Sequence, residues 1–541
     1  MHKTQLHAKR PTHSIIELDL LSRKTPLATL LVLVAISPLI TGLPIGKPRE
    51  VQLPTVTLAQ PTTSQYLTTF QISQNSSDFS PFLITSSSDR TAWIVAIQIR
   101  NNQPPLAQII NFTMKPGGFE ATPILREPLV NAIPTDIVYN KTESGDRLWF
   151  LENDTLAYYD LITKNVAVAR TFPGDSPEYM AIDNKGRIWI SLLAKNRIAE
   201  YDPSSGMSSY CNAPTQNASL QGIAVAPDQT IWFAETTAKK LAQLIPLPGG
   251  GCTVKDYSPT SGVEITFPVQ VAVDRDGTVW FTDHGSNQFG NFNPATGEWR
   301  TFPIGYCSAR YNSDCAIGLP NAISFDSNGG LWFAEHFAGR IAHYDIAAGR
   351  LTEYTVPATA PPYTWWMWPG PGNLVWFTAL GLGQIGYVNA SIPVMINLHT
   401  VGDVDLARED SRTISASVES ADKSVILSLS PNTSDAPPGA TPMLYGAISK
   451  MSMGPSDSSA VVSLTISAAW NLGLGRRYVA LTAYTPDVDV NAYLRVNILE
   501  KAAHYTAPGF AMSLLIGGIV LYWRYIPKTR KRQPTGRASR T

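Results

Sequence analysis

The chain has 541 residues, and its 42 Lys and Arg side chains balance its 42 Asp and Glu side chains. Charged residues make up 16%, below the roughly 25% of typical soluble chains, and an apolar content of 44% excludes a disordered chain. The zero net charge hides an uneven distribution of basic and acidic residues along the chain. Five bases and two acids lie in residues 1–24 and seven bases with no acid lie in residues 524–541, which leaves 30 bases and 40 acids between them. This acidic middle argues against nucleic acid as a partner.

Two uncharged segments, residues 27–45 and 505–523, each have about the 20 residues that a membrane helix needs. Residues 1–45 are predicted to be a basic n-region with either a cleaved signal peptide or a retained anchor, and Pro38 and Pro44 weaken the anchor interpretation. Residues 505–523 are predicted to be a transmembrane helix, followed by a basic cytoplasmic tail at 524–541. Because bases flank the outer side of both segments, the positive-inside rule places the region between them outside the cell membrane.

The cysteines and the N-x-S/T sequons all lie in this predicted extracellular region. The four cysteines are Cys211, Cys252, Cys307 and Cys315. An even number in an oxidising space predicts two disulfides, one between neighbouring repeats (Cys211–Cys252) and one within a loop (Cys307–Cys315). The seven sequons begin at Asn75, Asn111, Asn140, Asn153, Asn217, Asn389 and Asn432, and they predict a glycoprotein.

A tryptophan-centred repeat runs through the middle of the chain. GIAVAPDQTIWFAE (222–235), VAVDRDGTVWFTD (271–283) and AISFDSNGGLWFAE (322–335) share an apolar run, a turn and a Trp-centred strand. The repeat tryptophans are Trp93, Trp149, Trp189, Trp232, Trp280, Trp332 and Trp376, spaced 40 to 56 residues apart. Seven copies of one residue favour a packing role over a catalytic one.

Each unit continues into a third strand, a turn with Asp or Asn and Gly, and a fourth strand. Four short strands in about 45 residues are typical of propeller blades, so we predict an all-β chain with a seven-bladed β-propeller over residues 65–390. The seventh unit lacks a fourth strand after residues 385–389. We expect residues 66–72 to supply it and close the ring, which removes an open sheet edge. Residues 46–64 are then a Pro/Thr-rich linker.

Residues 391–502 break the repeat. Five or more short segments alternate apolar and polar residues without a helix pattern. This predicts an immunoglobulin-like β-sandwich that serves as a stalk between the propeller and the membrane.

The blade pattern D-x-x-G-x-(L/V/I)-W-F-(T/A)-(E/D) resembles that of the streptogramin lyases, the virginiamycin B lyase family. It is less closely similar to NHL-repeat and gluconolactonase-type propellers. The resemblance covers roughly residues 66–390. It implies a propeller that opens a cyclic peptide lactone by elimination, with a bound magnesium ion.

The resemblance also implies where catalytic residues belong. The family's catalytic His lies in a Pro-His-Gly-Ile turn just before an inner strand. The matching positions here hold Thr135, Glu178, Gln221, Val269 and Asn321. The family's metal-associated Glu lies four residues after a blade Trp, where this chain has Thr236, His284 and His336. The general base of the elimination is therefore missing from its expected place.

In a propeller, the residues after each second strand converge on one face of the ring, called the mouth here. The sequence places Glu152, Glu235, Asp283, His284, Glu335 and His336 on it. The recurring acids favour a structural role, paired with bases such as Lys239 or Arg340. His284 and His336 break the repeat and are the candidate catalytic residues. The alternative is that they are surface histidines without a functional role. Asp283, Glu335 and Glu235 are candidate ligands for a divalent cation, Mg²⁺ or Ca²⁺.

A tryptophan-rich segment enters the seventh unit on the same face. Tyr363, Trp365, Trp366 and Trp368, together with Asn321, are candidate ligand-binding residues. Four aromatic residues within six predict a stacking platform for a sugar or a planar ligand. The alternative is a lid that seals the junction between two blades.

Three classes of function follow. The preferred hypothesis is a membrane-anchored extracellular propeller that recognises a small molecule, a glycan or a surface protein. The alternative is a metal-dependent lyase or lactone hydrolase. A purely structural surface component would fit the sequons and the stalk equally well.

Overall fold

The computed structural model describes residues 61–72, 79–100, 103–115, 118–124, 129–130, 133–142, 145–260, 263–304, 318–358, 362–400, 402–421, 425–430, 444–450, 452–454 and 456–501. No helix in these ranges is long and apolar enough to cross a membrane. The predicted membrane segments 27–45 and 505–523, the basic tail and most of the linker lie outside the described residues, as do Cys307, Cys315, Asn75 and Asn432.

Almost all of the regular secondary structure in the described chain is β-strand. It begins with β1 (Thr62–Thr63) and β2 (Leu67–Gln71). The first blade contains β3 (Ser80–Ser88), β4 (Thr91–Arg100), β5 (Gln103–Lys115) and β6 (Gly118–Pro123), with β7 (Leu129–Val130) added on β5. The second blade contains β8 (Asp136–Thr142), β9 (Gly145–Glu152), β10 (Thr155–Asp160) and β11 (Val166–Thr171). The third contains β12 (Pro177–Ile182), β13 (Ile188–Leu192), β14 (Arg197–Asp202) and β15 (Met207–Asn212).

The remaining blades repeat this plan. The fourth contains β16 (Leu220–Val225), β17 (Ile231–Glu235), β18 (Lys240–Pro246) and β19 (Cys252–Tyr257). The fifth contains β20 (Pro268–Val273), β21 (Val279–Asp283), β22 (Gln288–Asn293) and β23 (Glu298–Pro303). The sixth contains β24 (Pro320–Phe325), β25 (Leu331–Glu335), β26 (Arg340–Asp345) and β27 (Arg350–Thr355). The seventh contains β28 (Thr364–Pro369), β29 (Leu374–Ala379), a short 3₁₀ helix (Leu380–Leu382) and β30 (Gln384–Asn389).

The seven sheets form a closed ring. The first strand of each blade packs against the first strand of the next, and β28 of the seventh blade packs against β3 of the first. This is the arrangement of a seven-bladed β-propeller, as the repeat predicted. The disulfide Cys211–Cys252 joins the outer strands of blades three and four and confirms that predicted pairing.

The N-terminal strand completes the seventh blade. Strand β2 pairs antiparallel with β30, with Thr69 opposite Gly386. A Cβ atom on Gly386 would lie 2.7 Å from the Thr68 carbonyl oxygen, so glycine permits the close approach of the two strands. The predicted ring closure by residues 66–72 is thus confirmed.

The repeat motif has a structural cause. All seven repeat tryptophans are buried, which confirms their predicted packing role. In blade five, Asp274 accepts hydrogen bonds from the amides of Asp276 and Thr278, both at 2.9 Å, and from Trp280 Nε1 at 3.1 Å. The Asp that opens the hairpin therefore holds both the turn and the Trp that follows six residues later.

The C-terminal region forms two further sheets. One contains β31 (Ile396–Thr400), β33 (Ser411–Ser420), β35 (Leu444–Ile448) and β37 (Ser459–Ala468). The other contains β32 (Val404–Ala407), β34 (Val425–Ser430), β36 (Ser452–Met453), β38 (Gly475–Tyr484) and β39 (Val488–Leu499). Buried side chains of both sheets belong to one apolar core. An immunoglobulin-like strand order remains a prediction.

The second of these sheets is continuous with the propeller. Strand β39 pairs antiparallel with β27, the outer strand of blade six, from Arg350 opposite Ala492 to Tyr354 opposite Val488. The sequence predicted a separate stalk and did not anticipate this shared sheet. The C-terminal region therefore extends blade six through backbone hydrogen bonds.

Candidate functional site

The mouth is the face at which second strands end and first strands begin. Asp283 lies opposite Pro268, and Glu335 lies opposite Pro320, at the paired ends of their strands. Residues 284 and 336 follow directly, so the two histidines of neighbouring blades reach the same face. The predicted convergence of these residues on the mouth follows from the strand pairing.

His284 and His336 are brought into contact. Their ring centroids are 4.9 Å apart, with 20° between the ring planes. His284 Nδ1 lies 3.1 Å from the Pro320 carbonyl oxygen, which can only accept, so this nitrogen donates. The His336 side chain is buried, and neither of its ring nitrogens has a hydrogen-bond partner among the described residues.

Both imidazoles are held neutral. Burial lowers the pKa of His284, against the opposing effects of the Pro320 carbonyl and the Asp283 charge. Burial lowers the pKa of His336 well below its usual range, and the neighbouring His284 lowers it further. Two stacked imidazoles cannot both carry a charge at low cost, so the pair offers neutral rings at neutral pH.

The two histidines belong to a band of rings that spans blades five, six and seven. Phe267 lies 6.4 Å from His284, and Trp365 lies 5.2 Å from His336. On the other side, Phe337 lies 6.4 Å from His336 and 5.5 Å from Tyr363. We call these six residues the aromatic band. Phe267 and Phe337 were missed in the sequence, because each is a single aromatic residue in a loop.

Three of the predicted ligand-binding residues, Trp365, Trp366 and Asn321, also hold neighbouring elements together. Trp365 stacks on Phe82 at 5.3 Å, and Trp366 stacks on Tyr179 at 5.9 Å. Asn321 Nδ2 donates to the Trp365 carbonyl oxygen at 3.1 Å and so ties β24 to β28. Trp368 is half-buried in β28. Tyr179 and Trp366 come from blades three and seven, so their stack crosses the centre of the ring.

The predicted metal ligands face other partners. The Asp283 carboxylate accepts from the amides of Thr266 at 2.9 Å and Phe267 at 2.6 Å and thereby holds the loop that enters blade five. Glu235 is buried in blade four, and burial, aided by the charge of Asp256, raises its pKa to about 7. Among the described residues, no group of three or more His, Cys, Asp or Glu side chains is arranged to hold a metal ion. Binding of Mg²⁺ or Ca²⁺ by these side chains remains a prediction.

Glu335 instead belongs to a buried cluster at the junction with the C-terminal sheets. Arg340 Nε lies 3.4 Å from Glu335, and Arg340 Nη1 lies 3.1 Å from both Glu353 and Asp489. Asn491 Nδ2 donates to Glu353 at 2.7 Å. Burial raises the pKa of Glu335 well above its usual range, and the charge of Glu353 raises it further. The expected pairing of a recurring acid with Arg340 is confirmed.

A second acidic group on the mouth was missed. Asp136 opens β8 and accepts from the amides of Ile137 and Met180, both at 2.8 Å. Burial raises the pKa of Asp136 to about 7 and that of Glu178, at the start of β12, to about 8. Both residues stand at or near first-strand positions, where the family resemblance implies a His.

Comparison with known proteins identifies the fold family. The model of the virginiamycin B lyase family matches residues 128–403. The chain belongs to the virginiamycin B lyase family. No curated protein matches the chain.

The chain is also similar to several solved structures. Virginiamycin B lyase from Staphylococcus aureus is 19% identical over 60% of this chain and 98% of its own length, with a TM-score of 0.46. A streptogramin B lyase is 22% identical over 48% of this chain and 80% of its own, with a TM-score of 0.41. A gluconolactonase from Xanthomonas campestris is 12% identical over 62% and 98%, with a TM-score of 0.36. These similarities concern the fold alone.

Membership of the virginiamycin B lyase family confirms the resemblance carried by the blade pattern. The family's matching His positions are occupied here by residues with structural contacts, such as Asn321, or by an acid, Glu178. The two histidines that meet at the mouth stand elsewhere, after second strands. The propeller is thus shared with the family.

Proposed function

We propose that this protein is a membrane-anchored extracellular β-propeller that binds a small molecule at its mouth. The observation that carries the proposal is the aromatic band, in which six rings from three blades adjoin on one face. Such a band offers flat apolar surface together with two neutral imidazoles, the combination typical of small-molecule sites.

The environment of His336 indicates which chemical groups the ligand should carry. A buried polar group without a partner costs about 1–3 kcal/mol, so a ligand group that bonds to this imidazole gains affinity. At the blade-five end of the band, His284 is half-buried and Phe267 is 37% exposed, so we infer that a ligand reaches the band there. We infer a ligand with a flat apolar portion and at least one hydrogen-bonding group beside it.

The proposed membrane anchor and extracellular location are supported by two sequence segments and by one disulfide bond. The apolar segments 27–45 and 505–523, with bases on their outer sides, support two cytoplasmic ends or one cleaved signal. The Cys211–Cys252 disulfide supports an oxidising exterior for the propeller.

The alternative is a metal-dependent lyase or lactone hydrolase. Family membership and the pair of neutral imidazoles support it. Against it, the matching His positions hold other residues, and Asp283 and Glu335 are engaged in structural contacts. We therefore prefer binding without turnover and route no reaction step through a metal.

The experiment uses the purified full chain in detergent, with virginiamycin B as the probe because the family is named for it. We expect saturable binding by calorimetry and recovery of the intact probe. His336→Gln should weaken binding about tenfold, which corresponds to about 1.4 kcal/mol. His399→Gln, which changes an exposed histidine of β31, is the matched control and should bind like the wild type.

Other outcomes would replace the proposal. Elimination leaves the probe's mass unchanged but shifts its chromatographic retention, and hydrolysis adds one water. Either product, if lost in His336→Gln, would establish the enzyme. A stoichiometric divalent ion that disappears in His284→Ala/His336→Ala would point the same way. If the probe is neither bound nor converted, this class of ligand is rejected. Release of the chain from membranes by alkaline carbonate would reject the anchor.

A further inference from the structure

Large apolar side chains are exposed at the end of the C-terminal sheets where the described chain ends. Trp470 is 72% exposed, Leu474 is 44% exposed and Leu499 is 41% exposed. We call these three residues the exit patch. Isolated exposed apolar residues are common, but a tryptophan and two leucines at one end of a domain mark an interaction surface.

The three residues are held together by the strands around them. Gly475, next to Leu474, pairs with Ile498, next to Leu499. Arg408 links the same elements, because its amide donates to the Leu499 carbonyl oxygen at 3.1 Å and its Nε donates to the Leu472 carbonyl oxygen at 2.6 Å. The turn that carries Trp470 is thus fastened to the strand by which the chain leaves the sheet.

The predicted transmembrane segment begins close to this end. Lys501 is the last described residue, and the apolar segment starts at Tyr505. Four residues span at most about 14 Å when fully extended. If residues 505–523 cross the bilayer, its surface lies within that distance of Lys501, next to the exit patch.

The register of β39 shows on which side of the propeller, relative to the mouth, the exit patch lies. Val488 pairs with Tyr354 near the mouth end of β27, and Ala492 pairs with Arg350 at the opposite end. Strand β39 then continues for seven residues to Leu499, about 23 Å at the usual rise per residue. The Arg476–Glu298 ion pair lies beside the β22–β23 turn, which is also on the side away from the mouth. The exit patch therefore extends beyond the face opposite the mouth.

We propose that the exit patch rests in the interface of the outer leaflet and holds the propeller with its mouth directed away from the membrane. This inference rests on the anchoring in the proposed function and adds a lipid contact and an orientation to it. Tryptophan prefers the headgroup level of a bilayer, where its ring is buried and its N–H is hydrated. At the same level, Lys501 pairs with Asp410 at 3.2 Å and with Glu409 at 4.0 Å.

The test is photolabelling of the full chain in bilayers that contain a lipid with a diazirine near its headgroup. We expect the turn at residues 469–474 to carry at least tenfold more adduct than the segment around Val461, an apolar residue that is 75% exposed elsewhere on these sheets. The mouth turn at residues 236–239 should carry none. Trp470→Ser/Leu474→Ser/Leu499→Ser should lower labelling at this end several-fold, and the matched Val461→Ser should leave it unchanged.

The outcomes separate the two proposals. If alkaline carbonate extracts the chain, the anchor fails and this inference fails with it. If the chain stays in the bilayer but the turn at 469–474 is unlabelled, the anchor stands and the inference is overturned. Labelling of the mouth turn would overturn the orientation. Protection of Trp470 from both the lipid reagent and a water-soluble carbene would assign the patch to a protein partner and also overturn the inference.

Discussion

At the scale of single residues, carboxyl groups on the mouth face contribute to the pH dependence of stability. Burial raises the pKa of Asp136 to about 7, of Glu152 to about 7 and of Glu178 to about 8. Each is protonated in the folded chain at a pH where the unfolded chain has released the proton. Their contribution to stability is therefore lost as pH rises.

For Glu178 the pH window runs from about 4.5 to about 8. The folded state holds more protons than the unfolded state within it, so the free energy of unfolding falls as pH rises. Glu178→Gln should remove part of this slope, on the order of 2–4 kcal/mol between pH 5 and pH 8. Urea unfolding of the full chain in detergent at several pH values measures the difference. Exposed Glu419→Gln is the control and should keep the wild-type slope, and an unchanged slope in Glu178→Gln would show that this carboxyl ionises freely.

At the scale of elements, one hairpin design recurs in three blades. Asp183, Asp274 and Asp326 each precede the blade Trp by six residues and accept its Nε1 hydrogen at 2.8–3.1 Å. The equivalent positions of blades one, two and seven hold no Asp. There, Nε1 of Trp93, Trp149 and Trp376 has no hydrogen-bond partner among the described residues. The hydrogen bonds explain why Asp and Trp recur together.

Asp274→Ala should destabilise the chain by about 3 kcal/mol, because it removes three hydrogen bonds to a charged acceptor and leaves the Trp280 N–H unpaired. Asp276→Ala changes an exposed acid of the same hairpin that lacks these contacts. Its free energy of unfolding should fall by less than about 0.5 kcal/mol, as is common for surface substitutions. Urea unfolding of both variants compares them. Equal losses would show that the carboxylate does not support the hairpin.

At the scale of the whole molecule, the propeller and the C-terminal sheets share both a sheet and a buried charge cluster. Arg340 is the base that lies among Glu335, Glu353 and Asp489, and its side chain is 2% exposed. Two of these acids belong to blade six and the third to β39. The two regions are therefore expected to unfold together.

Arg340→Met should destabilise the full chain by about 3–5 kcal/mol, because it leaves buried carboxylates without a base. Arg476→Met breaks the exposed ion pair with Glu298 at the same junction and should cost under about 1 kcal/mol. Unfolding followed by calorimetry should give one transition for the wild type. Separate transitions in the wild type would show that the shared sheet does not couple the two regions.

Most of the ring was predictable from local pattern. The alternation of buried residues, the turn glycines and, in three blades, the Asp-to-Trp spacing each lie within about 45 residues, so the strands of a blade are predictable from its own segment of sequence. The N-terminal closure was predictable because the seventh unit lacked one strand and residues 66–72 matched it. The disulfide between neighbouring repeats followed from their order along the chain.

The candidate site was only partly predictable. His284 and His336 stood out because they interrupt a repeat, and the strand pairing brings them together. The sequence pattern equally predicted Asp283 as a metal ligand. In the structure, its carboxylate accepts hydrogen bonds from the amides of Thr266 and Phe267 and so holds the preceding loop. The direction in which a side chain points depends on neighbouring loops, and a one-dimensional pattern does not contain it.

Local sequence therefore determined the strands, the number of blades and the burial of the tryptophans, because hydrogen bonding and side-chain alternation act over short separations. Tertiary structure alone decided that β39 joins β27, since any exposed strand edge of matching alternation accepts a partner. It also decided that Phe267 and Phe337 join the histidines and that the exit patch lies opposite the mouth. These relations arise between residues far apart in the chain, where three-dimensional packing decides which side chains meet.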